Sequence, residues 1–174
     1  MTAPAQPKGL AGKRAVLDAD GHVLGRLASH VAKRLLQGEE ISIINAERVL
    51  VSGERRRVTD AYRAAWSRGS PGKGPHFPRP PDRILKRTVR GMLPHTKGRG
   101  REALGRLRVY LGTPPELAGA RAQKVPDAAP TRLLATPLGK ISRELGWRPV
   151  TVAAAPASGP APAASPGGRG GKSK

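Results

Sequence analysis

Apolar residues near the start of the chain form two short runs that flank a helical repeat. The runs at residues 14–19 and 40–45 have the length of buried strands rather than of helices. Between them, apolar residues recur at i, i+3, i+4 and i+7 from Leu24 to Leu35, which predicts an amphipathic helix that ends near Gly38. A strand, a helix and a second strand within about thirty residues predict a βαβ unit with parallel strands and a right-handed crossover.

Further along the chain, the pattern predicts two more strands and three more helices. The strands are predicted at residues 48–52 and 108–111, the helices at residues 54–67, 82–93 and 137–145, and one or two helical turns within residues 102–107. Asp82 is expected to cap the second of these helices, and Thr136 to cap the third with Pro137 at its first position. Loops are expected at residues 69–81, where five prolines fix φ and remove backbone donors, and at residues 95–101, which are rich in Gly, Lys and Arg.

Composition separates one folded domain from two tails. Residues 1–12 are small and polar and predict a disordered arm. Residues 150–174 consist mainly of Ala, Pro, Gly and Ser with a basic end, and such a segment cannot bury enough surface to fold alone. We therefore predict a single domain over residues 13–149, which is long enough to bury a core.

Basic residues are concentrated between Arg68 and Arg108. The whole chain has 32 Lys and Arg against 12 Asp and Glu, a formal net charge of +20. Twelve of the basic residues lie in this stretch with only two acids, Asp82 and Glu102, so that it carries +10, half of the total. On a helical wheel, residues 82–93 divide into an apolar half and a cationic half. The cationic half consists of Arg83, Lys86, Arg87 and Arg90.

Such a concentration of positive charge predicts a polyanionic partner. A charge run is often only a solvated surface, but these cations have few acids among them and lie on predicted ordered elements. Glycines nearby permit a bulky ligand to approach the backbone closely. Nucleic acid is the commonest partner of this kind. With 3% aromatic residues the chain has too few rings for base-stacking surfaces, so we expect recognition of phosphates and shape in structured RNA or a duplex.

Other kinds of site have little support in the sequence. The chain has no cysteine, no signal-peptide core, no apolar run near the ~18 residues of a membrane span, and no zinc-hydrolase spacing among its four histidines. Asp18 and Asp20 could act as a catalytic pair of carboxylates, but they end a predicted strand, where Asp is a common turn residue. Residues 98–103 match the G-x-G-x-x-A spacing of dinucleotide-binding proteins, but they follow a loop interrupted by proline, whereas that motif follows a strand. We predict no catalytic residue, metal, cofactor, small-molecule substrate or membrane contact.

Two alternatives stay open from the residues alone. An architectural DNA-binding protein has a similar composition, but it needs wedge residues or a groove-reading helix, and the cationic half of residues 82–93 contains no Asn, Gln or apolar wedge. A nucleotide-dependent α/β enzyme can hold a phosphate at the turn of residues 21–25. That turn, however, lacks the Lys-Ser/Thr of a P-loop.

Four blocks of the chain carry a resemblance to a known protein family. These blocks are DADGHVLGRLASHVAKRLL at 18–36, IINAERVLVSG at 43–53, GPHFPRPPDRI at 74–84 and RTVRGMLPHTKGRGREALGRLRVYLG at 87–112. Together they resemble the universal L-thirteen family of the large ribosomal subunit in its archaeal form, and residues 135–147 are similar to the terminal segment of that branch. The tail after Pro149 and the Pro/Ala stretch near Asp127 match no motif of the family.

The resemblance implies a fold, a function and a set of contact residues. The fold is a three-layer α/β/α domain with a small, about four-stranded, mainly parallel sheet, basic loops and flexible tails. The function is that of a non-enzymatic, cytoplasmic, ribosome-bound constituent of the large subunit. It binds rRNA beside neighbouring ribosomal proteins and supports subunit assembly and translation. Matching motifs imply rRNA contacts at Arg26, Arg83, Lys86, Arg87, Arg90, His95, Lys97, Arg99 and Arg101, to which the basic stretch adds Arg68, Lys73, His76 and Arg79.

Overall fold

The structure is a computed structural model that describes residues 14–69, 72–74, 76–130 and 134–149. The predicted arm at residues 1–12 and the predicted tail at residues 150–174 lie outside the described residues. The elements in chain order are β1 (Arg14–Asp18), α1 (Leu24–Leu36), β2 (Glu40–Ile44), β3 (Leu50–Ser52), α2 (Arg55–Ser67), α3 (Pro81–Met92), α4 (Gly98–Gly105), β4 (Leu107–Val109), β5 (Ala135–Pro137) and α5 (Leu138–Glu144).

The predicted βαβ unit is present. Strands β1 and β2 pair in parallel, with Arg14 opposite Glu40 and Asp18 opposite Ile44, and α1 connects them. Strand β4 adds to the other side of β2 in the same direction, with Ile41 opposite Leu107. The parallel sheet therefore has the order β1-β2-β4. A single bridge between Leu17 and Gln123 extends it beyond β1.

The predicted strand at residues 48–52 begins two residues later and does not join the parallel sheet. Residues Ala46–Arg48 form a 3₁₀ turn, which starts after Asn45 in the left-handed conformation at φ 57°. The chain changes direction there, and β3 then pairs antiparallel with β5. The small, mainly parallel sheet with its helices confirms the expected three-layer α/β/α class, although its strands are divided between a three-stranded sheet and a separate pair.

One face of the parallel sheet forms the core. Alternation along each strand points Leu17, Ile43 and Leu107 to this face, where at most 1% of each residue is exposed. The apolar stripe of α1 packs here together with the apolar face of α3. These helices therefore have one face fixed by burial and the other in solvent.

Three predicted helix boundaries differ in the structure. Helix α3 begins at Pro81 with Pro80 as its N-cap, so Asp82 lies inside the first turn and does not cap it. Proline suits the first helical position because its φ is already helical and its missing N–H has no partner there in any case. Helix α4 begins at Gly98, so only the first residues of the predicted loop at 95–101 lie outside a helix. Thr136 belongs to β5, and Pro137 rather than Thr136 is the N-cap of α5.

Candidate nucleic-acid interface

Helix α3 separates its apolar and charged residues as the wheel predicts. Ile84, Leu85 and Val89 are at most 4% exposed and pack into the core. The opposite side carries four exposed cations, which we call the α3 cationic face: Arg83, Lys86, Arg87 and Arg90. Because burial of the apolar side fixes the helix, the four cations are held in solvent at a defined spacing.

No residue of the α3 cationic face forms an ion pair among the described residues. The ion pairs in this part of the chain are Arg14–Glu40, Arg34–Glu39, Arg48–Asp20, Arg55–Glu144, Arg57–Glu54 and Arg63–Asp60. None of them includes any of the thirteen residues predicted to contact rRNA. Six acids of the described domain pair with other basic residues, and none pairs with a predicted contact residue.

Helix α2 is also basic, but three of its four arginines have acidic partners. Arg57 lies 3.2 Å from Glu54, and Arg63 lies 3.4 Å from Asp60. Nε of Arg55 donates to Glu144 of α5 at 2.7 Å. This hydrogen bond is the main cause of a pKa of Glu144 below its ordinary value.

The turn from α3 to α4 depends on Gly100. A Cβ at this position would lie 2.1 Å from the carbonyl oxygen of Pro94, far inside any allowed contact, and Gly100 is buried. The glycines of this stretch are predicted from the sequence to admit a ligand, but at Gly100 the space for a side chain is filled by the protein's own backbone. The neighbouring cations Lys97, Arg99 and Arg101 are exposed.

Two arginines, one in α4 and one directly after it, bind the C-terminus of α1. Arg99 donates to the carbonyl of Leu36 at 3.2 Å, and Arg106 donates to that of Leu35 at 3.0 Å. The last carbonyls of a helix have no partner within it and carry partial negative charge, so arginine is favoured there. Arg99 therefore has a structural contact that sequence motifs do not reveal, although its side chain stays exposed.

Arg26 lies apart from the contact of Arg99. It is near the start of α1, where its Nη1 donates to the carbonyl of Ala129 at 2.8 Å. Leu36, which binds Arg99, is ten residues further along the same helix, so the two sites are about 15 Å apart along its axis. The structure thus does not bring Arg26 together with the α4 cations.

The proline-rich loop places two further arginines against aromatic rings. The guanidinium of Arg79 lies 4.2 Å from the ring centroid of Trp66, and that of Arg87 lies 4.1 Å from the ring centroid of Phe77. Such stacking leaves the N–H edges of a guanidinium free to bind an anion. The other predicted loop contacts, Arg68, Lys73 and His76, are exposed. His95 is half-buried beside the carbonyl of Leu93.

Sequence comparisons identify the family of this chain. The profile of the family described as ribosomal protein L13 matches residues 13–116. The chain is 50% identical over 139 residues to the large ribosomal subunit protein uL13 of Archaeoglobus fulgidus, covering 78% of this chain and 89% of that protein. It is 51% identical over 134 residues to the uL13 of Methanococcoides burtonii, covering 75% and 96%. The chain belongs to the ribosomal protein L13 family. This is a family of structural ribosomal proteins, not of enzymes.

The carboxylates of Asp18 and Asp20, at the end of β1 and just after it, have structural contacts in this L13-family chain. Oδ1 of Asp18 accepts hydrogen bonds from the side-chain amide of Asn45 at 2.9 Å and the backbone N–H of Asp20 at 3.0 Å. Burial favours the neutral acid, but these bonds, with Lys124 and His22 nearby, outweigh it and lower the pKa of Asp18. Asp20 itself pairs with Arg48 at 3.5 Å. The two residues hold the turn after β1.

Histidines, possible metal ligands and helix lengths in the described residues of this L13-family protein bear on the other kinds of site that the sequence disfavours. His22 is buried, and its Nε2 accepts a hydrogen bond from the backbone N–H of Val125 at 3.0 Å, which is a packing role. Within residues 14–69, 72–74, 76–130 and 134–149, no three His, Asp or Glu side chains gather as a metal site would require. The helices in the same ranges are too short or too polar to cross a bilayer.

Proposed function

We propose that this chain is a structural constituent of the large ribosomal subunit, where it binds large-subunit rRNA and supports assembly of the subunit and translation. The observation that carries the proposal is the α3 cationic face, which is exposed, fixed by a buried apolar face and free of ion pairs among the described residues. A polyanion supplies the missing counter-charge. The uL13 names of the archaeal relatives support rRNA rather than DNA as that polyanion.

The proposed contacts follow the basic side chains from the end of α2 to α4. They comprise Arg68, Lys73, His76, Arg79, Arg83, Lys86, Arg87, Arg90, His95, Lys97, Arg99 and Arg101, with Arg26 as a separate contact at the start of α1. Most of these side chains present N–H donors to phosphates rather than to base edges. We therefore propose that fit to a folded rRNA surface provides the specificity.

The setting of this function is also a proposal. Neighbouring large-subunit proteins are expected as further partners, and the protein is expected to be cytoplasmic and bound to the ribosome. We retain a single rRNA-binding domain over residues 13–149, with separate segments at residues 1–12 and 150–174.

Salt dependence of rRNA binding tests this proposal. If six or more phosphates are neutralised, the plot of log affinity against log salt concentration should have a slope of magnitude above about 4. The measurement uses the full chain and transcribed large-subunit rRNA over about 0.05 to 0.3 M salt, with a DNA duplex of equal phosphate concentration as control. Salt-insensitive binding, or equal affinity for the DNA duplex, contradicts the proposal.

A further inference from the structure

Three of the chain's five aromatic residues line one groove beside the α3 cationic face. Tyr62 and Trp66 come from α2 and Phe77 from the proline-rich loop, and Gly91 of α3 lies on the same wall. The groove has a volume of 390 Å³, which falls in the range of small-ligand sites. We call it the aromatic groove. Tyr62 and Trp66 are one helical turn apart on α2, and Phe77 joins them because the proline-rich loop folds back against that helix.

The rim of the aromatic groove is cationic although its lining is apolar. The guanidinium groups of Arg79 and Arg87 lie over the rings of Trp66 and Phe77, at 4.2 and 4.1 Å from their centroids. Neither arginine has an acidic partner among the described residues. Trp66 as a residue is still 43% exposed. A ligand that suits this site offers a flat π-surface and a negative charge within a few ångströms of each other.

The groove has space for such a ligand at Gly91. A Cβ added there would meet no atom within 4 Å, in contrast to Gly100, where it would strike backbone. Glycine in the interior of an exposed helix costs up to about 1 kcal/mol of stability relative to alanine. Neither steric crowding within the described protein nor a positive φ requires glycine at position 91.

We propose that the aromatic groove binds one unstacked nucleobase of the rRNA, with its phosphates on Arg79, Arg87 and the rest of the α3 cationic face. This inference rests on the proposed rRNA-binding function and adds a second type of contact to it. A nucleotide presents a flat ring and a phosphate in a single unit, so it satisfies both the lining and the rim. An apolar peptide segment covers the lining but brings no anion to the two guanidinium groups.

A groove-filling variant tests the nucleobase site without changing any charge. Gly91→Leu places a side chain in the groove and is expected to weaken rRNA binding about tenfold, the effect of losing one base–aromatic stack. The slope of log affinity against log salt should not change, because no phosphate contact is removed. Gly105→Leu is the matched control, since Gly105 of α4 also has no atom within 4 Å of an added Cβ and lies outside the groove. It should bind rRNA as the unsubstituted chain does.

Tryptophan fluorescence gives a second readout at the groove itself. The chain has two tryptophans, so Trp147→Phe leaves Trp66 as the only reporter. Binding of transcribed large-subunit rRNA should quench Trp66 through base stacking, and Gly91→Leu in this background should remove most of the quenching. Trp66→Ala should weaken binding about tenfold, whereas Trp66→Phe, which keeps a ring, should recover most of the affinity.

The outcomes separate this inference from the proposed function. Salt-dependent rRNA binding by Gly91→Leu with unchanged affinity overturns the nucleobase site and leaves the proposed function intact. The same result combined with failure to enter large subunits also overturns it, because the groove then holds a protein neighbour. If the unsubstituted chain shows no salt-dependent rRNA binding, the proposed function fails and the inference fails with it. Circular dichroism before each titration confirms that a variant is folded.

Discussion

Helices α2 and α3 have almost equal length and four basic residues each, yet they use these residues differently. Three of the four α2 arginines are paired with acids: Arg55 with Glu144, Arg57 with Glu54 and Arg63 with Asp60. The α3 cationic face has no such pairs among the described residues. A count of basic residues cannot distinguish the two helices. The position of the acids can, because a cation without an acidic neighbour keeps its charge available to an external polyanion.

The position of Asp82, the sole acid of α3, explains why the cations of this helix form no ion pair within it. Asp82 and Lys86 have the i, i+4 spacing that often gives an ion pair, but none forms. Asp82 lies in the first turn, where the helix dipole favours an acid, and its Oδ1 is buried without a hydrogen-bond partner among the described residues. The acid is therefore directed into the protein and does not neutralise the exposed side of the helix.

The largest expected effect comes from neutralising the α3 cationic face. Replacing Arg83, Lys86, Arg87 and Arg90 with Gln should lower rRNA affinity about a thousandfold at 0.1 M salt. The slope of log affinity against log salt should fall by about 3 to 3.6, the contribution of four phosphate contacts. Filter binding or fluorescence anisotropy at several salt concentrations measures both quantities.

Neutralisation of α2 is the matched control for that experiment. Replacing Arg55, Arg56, Arg57 and Arg63 with Gln removes the same formal charge, but it should change rRNA affinity less than about tenfold, since most of these arginines already have partners. Equal losses from the two sets would mean that only net charge matters, and the contrast between the helices would then have no functional meaning.

The next effect concerns how each helix is held. Helix α2 is tied to α5 by an ion pair, whereas the end of α3 is held by close backbone packing at Gly100. Gly100→Ala should lower the free energy of unfolding by about 3 kcal/mol, because the methyl group has no room beside Pro94. Gly98→Ala, where an added Cβ meets nothing, should raise it by up to about 1 kcal/mol. Urea unfolding distinguishes the two, and equal stabilities would show that the turn does not need glycine at position 100.

A smaller effect, dependent on pH, is expected from the α2 ion pair. Arg55→Gln should lower the free energy of unfolding at pH 7 by about 0.5 kcal/mol, a modest value because the Arg55 side chain is largely exposed. The pKa of Glu144 is lower in the folded protein than its ordinary value of 4.5, so the pair stabilises the fold above that pH. The contribution is lost as the pH falls through the folded pKa. A difference between Arg55→Gln and the unsubstituted chain that persists at pH 2 would contradict this origin.

The smallest expected effect is on α3, where removing a cation should raise the free energy of unfolding instead of lowering it. Arg83 and Arg87, like Lys86 and Arg90, are like charges at i, i+4, and each such pair destabilises a helix by about 0.2 to 0.5 kcal/mol. Lys86→Gln should therefore raise the free energy of unfolding by about 0.3 kcal/mol at low salt while it weakens rRNA binding. The gain should disappear above about 0.5 M salt, where surface charges are screened. Destabilisation at low salt would show that Lys86 has a structural partner.

The sequence predicts well those features that repeat along a single segment. The apolar stripe of α1, the buried strands β1 and β2, and the two sides of α3 all follow from local periodicity. The antiparallel pair of β3 and β5 does not, since three residues give too few alternations to specify a partner 83 residues away. Local periodicity also does not reveal the close contact of Gly100 with Pro94, the binding of Arg99 and Arg106 to the end of α1, or the aromatic groove. Each depends on contacts that only the folded chain creates.

Cosedimentation with large subunits tests the role of the α3 cationic face most directly. The full chain, the α3 set of four Gln substitutions and the α2 set are each expressed in cells and carried through a high-salt sucrose gradient. We predict that the unsubstituted chain and the α2 set sediment with the large subunit, and that the α3 set stays at the top of the gradient although it is folded. Cosedimentation of the α3 set at the level of the unsubstituted chain would contradict the account.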